Sequence, residues 1–249
     1  TPMMQQYFEI KNKNKDYILF YRLGDFYEMF FDDAKLVSRE LELTLTGRAC
    51  GQGERAPMCG VPYHSAEGYI AKLVQKGYKI AICEKMESPK KEKGLVKREI
   101  IRRVTPGTVV EASMLDENRN NFLGCVYAAG GSVGVCFADI TTGSVYATGS
   151  DTWNDITSAF GRFVPREVLV GGGAISEDSL QSFLKERLEA LIEPMPEECF
   201  EAQRSAERIQ EHFKVQDFDA VGLTDLPCTV RCLGGLVDYL EQTQKARLS

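Results

Sequence analysis

The sequence predicts a mixed α/β fold built in two parts. Three observations carry this. Short apolar or aromatic runs of strand length recur between segments with helical spacing. In the second half, a run of strands precedes an alternation of helix and strand, the pattern of a mixed α/β layer. Finally, the character of the chain changes at Thr105-Pro106-Gly107-Thr108.

The elements follow in order. Thr1-Pro2 reads as a helix start, with Thr as N-cap and Pro in the first turn, for a helix reaching about Asn12. Tyr17 to Tyr21 and Phe26 to Phe31 read as two strands of a hairpin joined by Leu23-Gly24-Asp25. Asp32 or Asp33 caps a helix to roughly Glu42, with Ala34, Val37, Ser38 and Leu41 on one face. Residues 47–63 are rich in Gly and Pro and read as a loop. Ser65 is the expected cap of a helix reaching about Lys76, with Tyr69, Leu73 and Lys76 on one side and Gly77 closing it. Lys79 to Glu84 and Ile100 to Val104 are short strands.

Beyond the boundary, Phe122 to Tyr127, Val133 to Ile140 and Ser144 to Thr148 form an expected three-stranded meander. A helix over Thr152 to Phe163, a strand over Arg166 to Val170 and a helix over Ser176 to Arg187 follow. Residues 193–199 read as a connector. The tail, 234–249, is amphipathic, with Leu236, Tyr239 and Leu240 on one face. It carries no cap signal, so the helix is expected to continue past the end.

Composition narrows the function classes. At 249 residues and 43% hydrophobic content, one large or two ordinary domains are available. No apolar run reaches the roughly 20 residues of a spanning helix, so no membrane role is expected, and no secretory leader is visible. Eight cysteines, without a Cys-x-x-Cys pair and with only two histidines, are expected to be reduced thiols filling apolar sites rather than a zinc centre. The net charge of −6 is unevenly divided: residues 1–107 hold 19 Lys and Arg against 14 Asp and Glu, and the remainder 11 against 22. The first part, at +5, suits a polyanion; the second, at −11, does not.

One strand holds the candidate chemistry. Side chains alternate along Phe26-Tyr27-Glu28-Met29-Phe30. If Tyr27, Met29 and Phe31 face the core, Phe26 and Glu28 share the other face. Spacing alone leaves a second reading open, in which Phe26 is core and Glu28 an edge charge.

Tyr21 to Ala34, with its Gly24-Asp25-Phe26-Tyr27-Glu28 centre, resembles the N-terminal mismatch-recognition motif of the MutS family. Pro57-Met58-Cys59-Gly60-Val61-Pro62-Tyr63-His64, Tyr69 to Val74, Val104 to Thr108 and Ala138 to Gly143 resemble further family segments, in the same order. Cys59 stands where many members carry a small residue, and the 86–99 connection and acidic second half are individual to this chain.

The resemblance implies a mismatch-recognition domain over 1–107, a ribonuclease-H-like connector over 108–226 and the start of a helical core domain over 227–249. It also implies a Phe-x-Glu reading head at Phe26 and Glu28. Phe26 would wedge into the minor groove of mispaired duplex DNA and kink it. Glu28 would hydrogen-bond the wedged base. Arg48, Met58, Lys85 and Arg98 are the remaining candidate DNA contacts; the basic run over 84–103 holds 8 Lys and Arg against 4 Asp and Glu. His64 reads as a loop or capping residue.

The intact protein would use ATP and Mg, but no Gly-x-x-x-x-Gly-Lys-[Ser/Thr] loop occurs here, so no cofactor or enzymatic activity is expected of this chain. A MutL-type partner at the connector, a homodimer and a cytoplasmic, nucleoid-associated location are further expectations of the resemblance. Two rivals stand beside it: an interaction module with little DNA binding of its own, and a nuclease, for which Asp139 at a strand end is almost the lone carboxylate of its sheet.

Overall fold

The computed structural model describes residues 1–86, 94–116 and 119–244. The chain divides into two compact units, Thr1–Thr105 with Thr243–Ser249, and Pro106–Gln242. No helix among the described residues is long and apolar enough to cross a membrane.

The first unit opens with α1 (Pro2–Asn12), whose first turn is capped by Thr1 Oγ1 accepting from the Met4 amide. Six strands follow: β1 (Ile18–Leu23), β2 (Phe26–Phe30), β3 (Thr46–Gly51), β4 (Glu54–Pro62), β5 (Ile80–Lys85) and β6 (Arg98–Val104). They form one sheet in the order β3-β4-β2-β1-β5-β6, antiparallel except between β1 and β5. The stretch expected to be a loop, 47–63, is instead the β3–β4 hairpin. Its Gly and Pro residues are accommodated at a turn, at a bulge between Ala49 and Gly51, and where Pro57 and Pro62 lie along β4.

Helices α2 (Phe31–Leu41) and α3 (Ala66–Gln75) cover one sheet face. Tyr27, Met29, Cys59 and Val61 are buried on that side, with Ala34 and Val37 of α2. Phe31 does not extend β2; it opens α2 with φ +53°. In α3 the buried side chains are Ala66, Ile70, Ala71, Leu73 and Val74, rather than a face through Tyr69 and Lys76. A turn at Tyr63–Ser65 leads into that helix, and Ser65 makes no side-chain cap bond. The opposite face packs against α1, where Tyr7 meets Tyr21 and Phe30 edge-on at 5.5 and 5.1 Å between ring centres.

The second unit contains β7 (Phe122–Ala129), β8 (Ser132–Asp139), β9 (Ser144–Ser150), β10 (Glu167–Gly172) and β11 (Leu191–Pro194). The order is β11-β10-β7-β8-β9: an antiparallel meander extended by two parallel strands, the ribonuclease-H-like arrangement the resemblance implies. The β11 strand begins before the expected connector, 193–199, and overlaps only its first two residues, Glu193 and Pro194.

Period-two alternation sends successive residues of β7 and β8 into different cores. Val126, Val135 and Phe137 pack under α4 (Trp153–Phe163) and α5 (Asp178–Ser182), the latter running into a π-turn at Phe183–Arg187. Cys125, Tyr127, Cys136 and Ala138 pack under α6 (Ala202–Phe213) and α7 (Pro227–Thr243). Thus α7, which falls in the segment expected to start a helical core domain, buries Cys232, Leu233, Leu236 and Tyr239 in this core.

Candidate nucleic-acid interface

Strand register decides which side chains share a surface. Glu28 pairs with Gly60 on β4 and Tyr21 on β1; Phe26 pairs with Pro62 and Leu23; Phe30 pairs with Met58. Met58 in turn pairs with Thr46, and Ala56 with Arg48. Tyr21 pairs with Cys83 on β5, and Lys85 with Arg98. Cross-strand partners lie on one face. The six candidate residues Phe26, Glu28, Arg48, Met58, Lys85 and Arg98 therefore all belong to the face that carries α1.

Along that face burial is graded. Tyr21 and Phe30 are fully buried beneath α1, and Met58 is half-buried against the same cluster. Phe26 is 46% exposed. The cover reaches the Phe30 end of β2 but not its Phe26 end, leaving that aromatic ring open to solvent. Glu28, two residues along, is half-buried. Its Oε2 accepts a hydrogen bond from Arg48 Nη1 at 3.1 Å. Burial pushes the Glu28 carboxyl above its ordinary value, and the Arg48 guanidinium opposes that shift.

The turn before Phe26 is braced from the opposite face. Arg22 Nε donates to the Gly24 carbonyl at 2.7 Å, and Gly24 takes φ +58°, a conformation that favours glycine. The Arg22 guanidinium lies 3.7 Å above the Tyr63 ring centre and pairs with Glu84 at 3.1 Å. The Tyr27 hydroxyl also donates to Glu84. The Tyr63 amide donates to the Asp25 carbonyl at 2.9 Å, extending the ladder beyond β4.

Two candidates differ sharply in availability. Lys85 is exposed. Arg98 is buried, which corrects its expected place among the surface cations. Its guanidinium donates to the Arg22 carbonyl at 2.8 Å, Gln6 Oε1 at 3.0 Å and the Val96 carbonyl at 3.2 Å, and lies 4.9 Å from the Tyr21 ring centre. It fastens β6 to β1 and α1. Lysines 90, 91 and 93 of the basic run lie outside the described residues.

Sequence reasoning missed Gly60. A Cβ there would stand 3.4 Å from Glu28 Cγ and 3.8 Å from Phe26 Cδ1, so the missing side chain leaves room beside both candidate side chains. Asp139, the nuclease candidate, accepts from the Thr141 amide at 3.0 Å and from Thr141 Oγ1 at 2.6 Å. It is a buried acceptor that closes the β8–β9 turn.

Against known families, residues 1–113 match the model of MutS domain I and residues 121–249 that of MutS domain II. The chain belongs to the MutS family. Its MutS relatives include proteins named DNA mismatch repair protein MutS from Acetivibrio thermocellus, at 49% identity, and from Ruminiclostridium cellulolyticum, also at 49%. A third, from Alkaliphilus metalliredigens, is 42% identical. Each match covers 100% of this chain and 28 or 29% of the relative, so the chain spans less than a third of the MutS proteins it matches. The exposed Phe26 and the Glu28–Arg48 pair lie within the part that matches domain I.

Proposed function

We propose that this chain senses mispaired or unpaired bases in duplex DNA as part of mismatch repair. The observation that carries the reading is the exposed Phe26 ring beside the half-buried Glu28 on a braced sheet face. Phe26 enters the minor groove and stacks on one base of the mispair, kinking the duplex. Unstacking a step costs a few kcal/mol, and a base–aromatic stack returns roughly 1–3 kcal/mol. In matched duplex the two nearly cancel. A mispair has already lost stacking and pairing, so the same deformation costs less and discrimination follows from deformability.

Glu28 accepts from, or as the neutral acid donates to, the edge of the wedged base. A site offering no partner leaves that carboxyl desolvated, which penalises normal duplex. Arg48 and Lys85 hold phosphates, and Met58 lines the groove wall. The acidic second unit meets a MutL-type partner. ATP hydrolysis with Mg, and closure of a homodimer around DNA, belong to parts of the protein beyond this chain, which acts in the cytoplasm at the nucleoid.

The test compares binding of a G·T duplex and its matched counterpart to the full-length protein, as wild type and as Phe26→Ala. The expected result is a loss confined largely to the G·T duplex, roughly 5- to 150-fold for a lost stack of about 1–3 kcal/mol. Equal losses on both duplexes would remove the wedge role. Added salt should weaken both complexes together, because counterion release is independent of sequence.

A further inference from the structure

Three thiols converge in the second unit, two from one hairpin and the third from a helix about 100 residues further along the chain. Cys125 on β7 and Cys136 on β8 are cross-strand partners in the antiparallel ladder. Cys232 comes down on them from α7. Its Sγ lies 3.4 Å from Cys136 Sγ and donates to the Cys125 carbonyl at 3.1 Å. The three sulfur atoms all lie within 4.8 Å of one another, and all three residues are fully buried. Each is a free cysteine.

The chemistry of this set is specific. Thiolates are soft ligands and select thiophilic ions. Three donors suit a trigonal centre better than the tetrahedral set of structural zinc. Charge narrows the choice further. The surrounding cluster is apolar and includes Leu169, Ile209, Leu233 and Leu236. Three thiolates around a divalent ion leave one net negative charge, and around a monovalent ion two; apolar surroundings penalise both. A trivalent ion gives a neutral complex.

We propose that Cys125, Cys136 and Cys232 form a trithiol site for trivalent arsenic, entering as neutral arsenous acid. Three As–O bonds break and three As–S bonds form. Each thiol proton leaves with one hydroxyl as water, so one As(OH)3 and three thiols yield one As(SR)3 and three waters. Arsenic remains trivalent and no oxidant or reductant is needed. Entry requires local opening of α7 from the sheet, of the kind by which folded proteins expose buried groups. The product ties α7 covalently to β7 and β8.

The test treats the 249-residue chain with sodium arsenite, with a phosphine reductant present to exclude disulfides. Native mass spectrometry should show one adduct heavier by one arsenic less three hydrogens. Alkylation after rapid unfolding, mapped on peptides, should find Cys125, Cys136 and Cys232 protected and Cys50, Cys59, Cys83, Cys199 and Cys228 labelled. Cys232→Ala should weaken arsenite binding at least tenfold, and Cys228→Ala should leave it unchanged. Arsenite should also raise the melting temperature of the wild type, because it binds the folded form. Protection of other cysteines, an adduct formed only in denaturant, or a lowered melting temperature would overturn the proposal. The protection map uses the wild type alone, so it stands even if Cys232→Ala does not fold.

Discussion

Arg48 Nη1 lies 3.1 Å from Glu28 Oε2, joining the edge strand β3 to the strand that carries the exposed Phe26. The Glu28 side chain is 14% exposed and that of Arg48 40%. A carboxylate facing phosphates is repelled, and the guanidinium offsets that charge while its outer edge stays accessible. Removing Arg48 should therefore act through Glu28 as well as through any phosphate it meets. Arg48→Ala is expected to weaken binding to matched and G·T duplexes alike. Adding Glu28→Gln should restore part of the loss, leaving a coupling of about 0.5–3 kcal/mol in a double-mutant cycle. Strictly additive losses would show that the pair does not act as a unit on DNA.

Glu28 should make mispair discrimination depend on pH. Burial, opposed by Arg48, holds its carboxyl above the ordinary value of 4.5 in the folded chain. The folded form thus binds the proton more readily than the unfolded one. The group's contribution to stability is fully present below 4.5 and is lost as pH rises through the folded value. If the neutral acid is the form that bonds the wedged base, the ratio of G·T to matched affinity should rise as pH falls from neutral toward 4.5. Glu28→Gln should abolish this slope, measured by fluorescence anisotropy across that range. A slope unchanged in Glu28→Gln would assign the effect to other groups.

Gly60 sets the space beside Phe26 and Glu28. A single Cβ at Gly60 would make ordinary contact, 3.4 Å from Glu28 Cγ and from the Tyr27 carbonyl oxygen. Gly60→Ala should fold and discriminate nearly as the wild type. Gly60→Val adds two methyl groups on the same side and forces Phe26 or Glu28 from its place, an overpacking cost of about 1–3 kcal/mol. Its expected signature is a reduced preference for G·T duplex with little change in matched binding. Unaltered discrimination in Gly60→Val would show that displacing Phe26 or Glu28 does not matter to the proposed sensing role.

Much of the candidate site was legible from strand alternation and family resemblance, because both are local. Phe26 and Glu28 share a face for the reason any residues two apart in a strand do. The β3–β4 hairpin was hidden because Gly47, Gly51, Gly53 and Pro57 carry loop chemistry, and tertiary pairing overrode it. Without that hairpin, nothing in the sequence sets Arg48 against Glu28 or Gly60 beside Phe26. Arg98 looked like a surface cation because its inward partners, Gln6 and the Arg22 carbonyl, lie 92 and 76 residues away. The trithiol cluster has no motif for the same reason, since 96 residues separate Cys136 from Cys232.

The seat of α7 depends on a glycine on β8. A Cβ at Gly134 would fall 2.4 Å from the Cys228 carbonyl oxygen and 2.5 Å from the Thr229 nitrogen. Both are backbone atoms of the first turns of α7, so no side-chain rotation relieves the clash. Gly134→Ala must push the helix away from the sheet, opening the core that holds Cys232, Leu233 and Leu236. The expected loss is at least the roughly 1–3 kcal/mol typical of overpacking, read as a lower urea midpoint. The slope with denaturant should stay nearly constant if the variant unfolds to the same ensemble. The altered contact lies within Pro106–Gln242, whereas Phe26 lies in the other unit. The G·T preference of protein that remains folded should therefore be retained. A midpoint equal to that of the wild type would mean that α7 shifts without cost, contradicting the tight approach of helix and strand at Gly134.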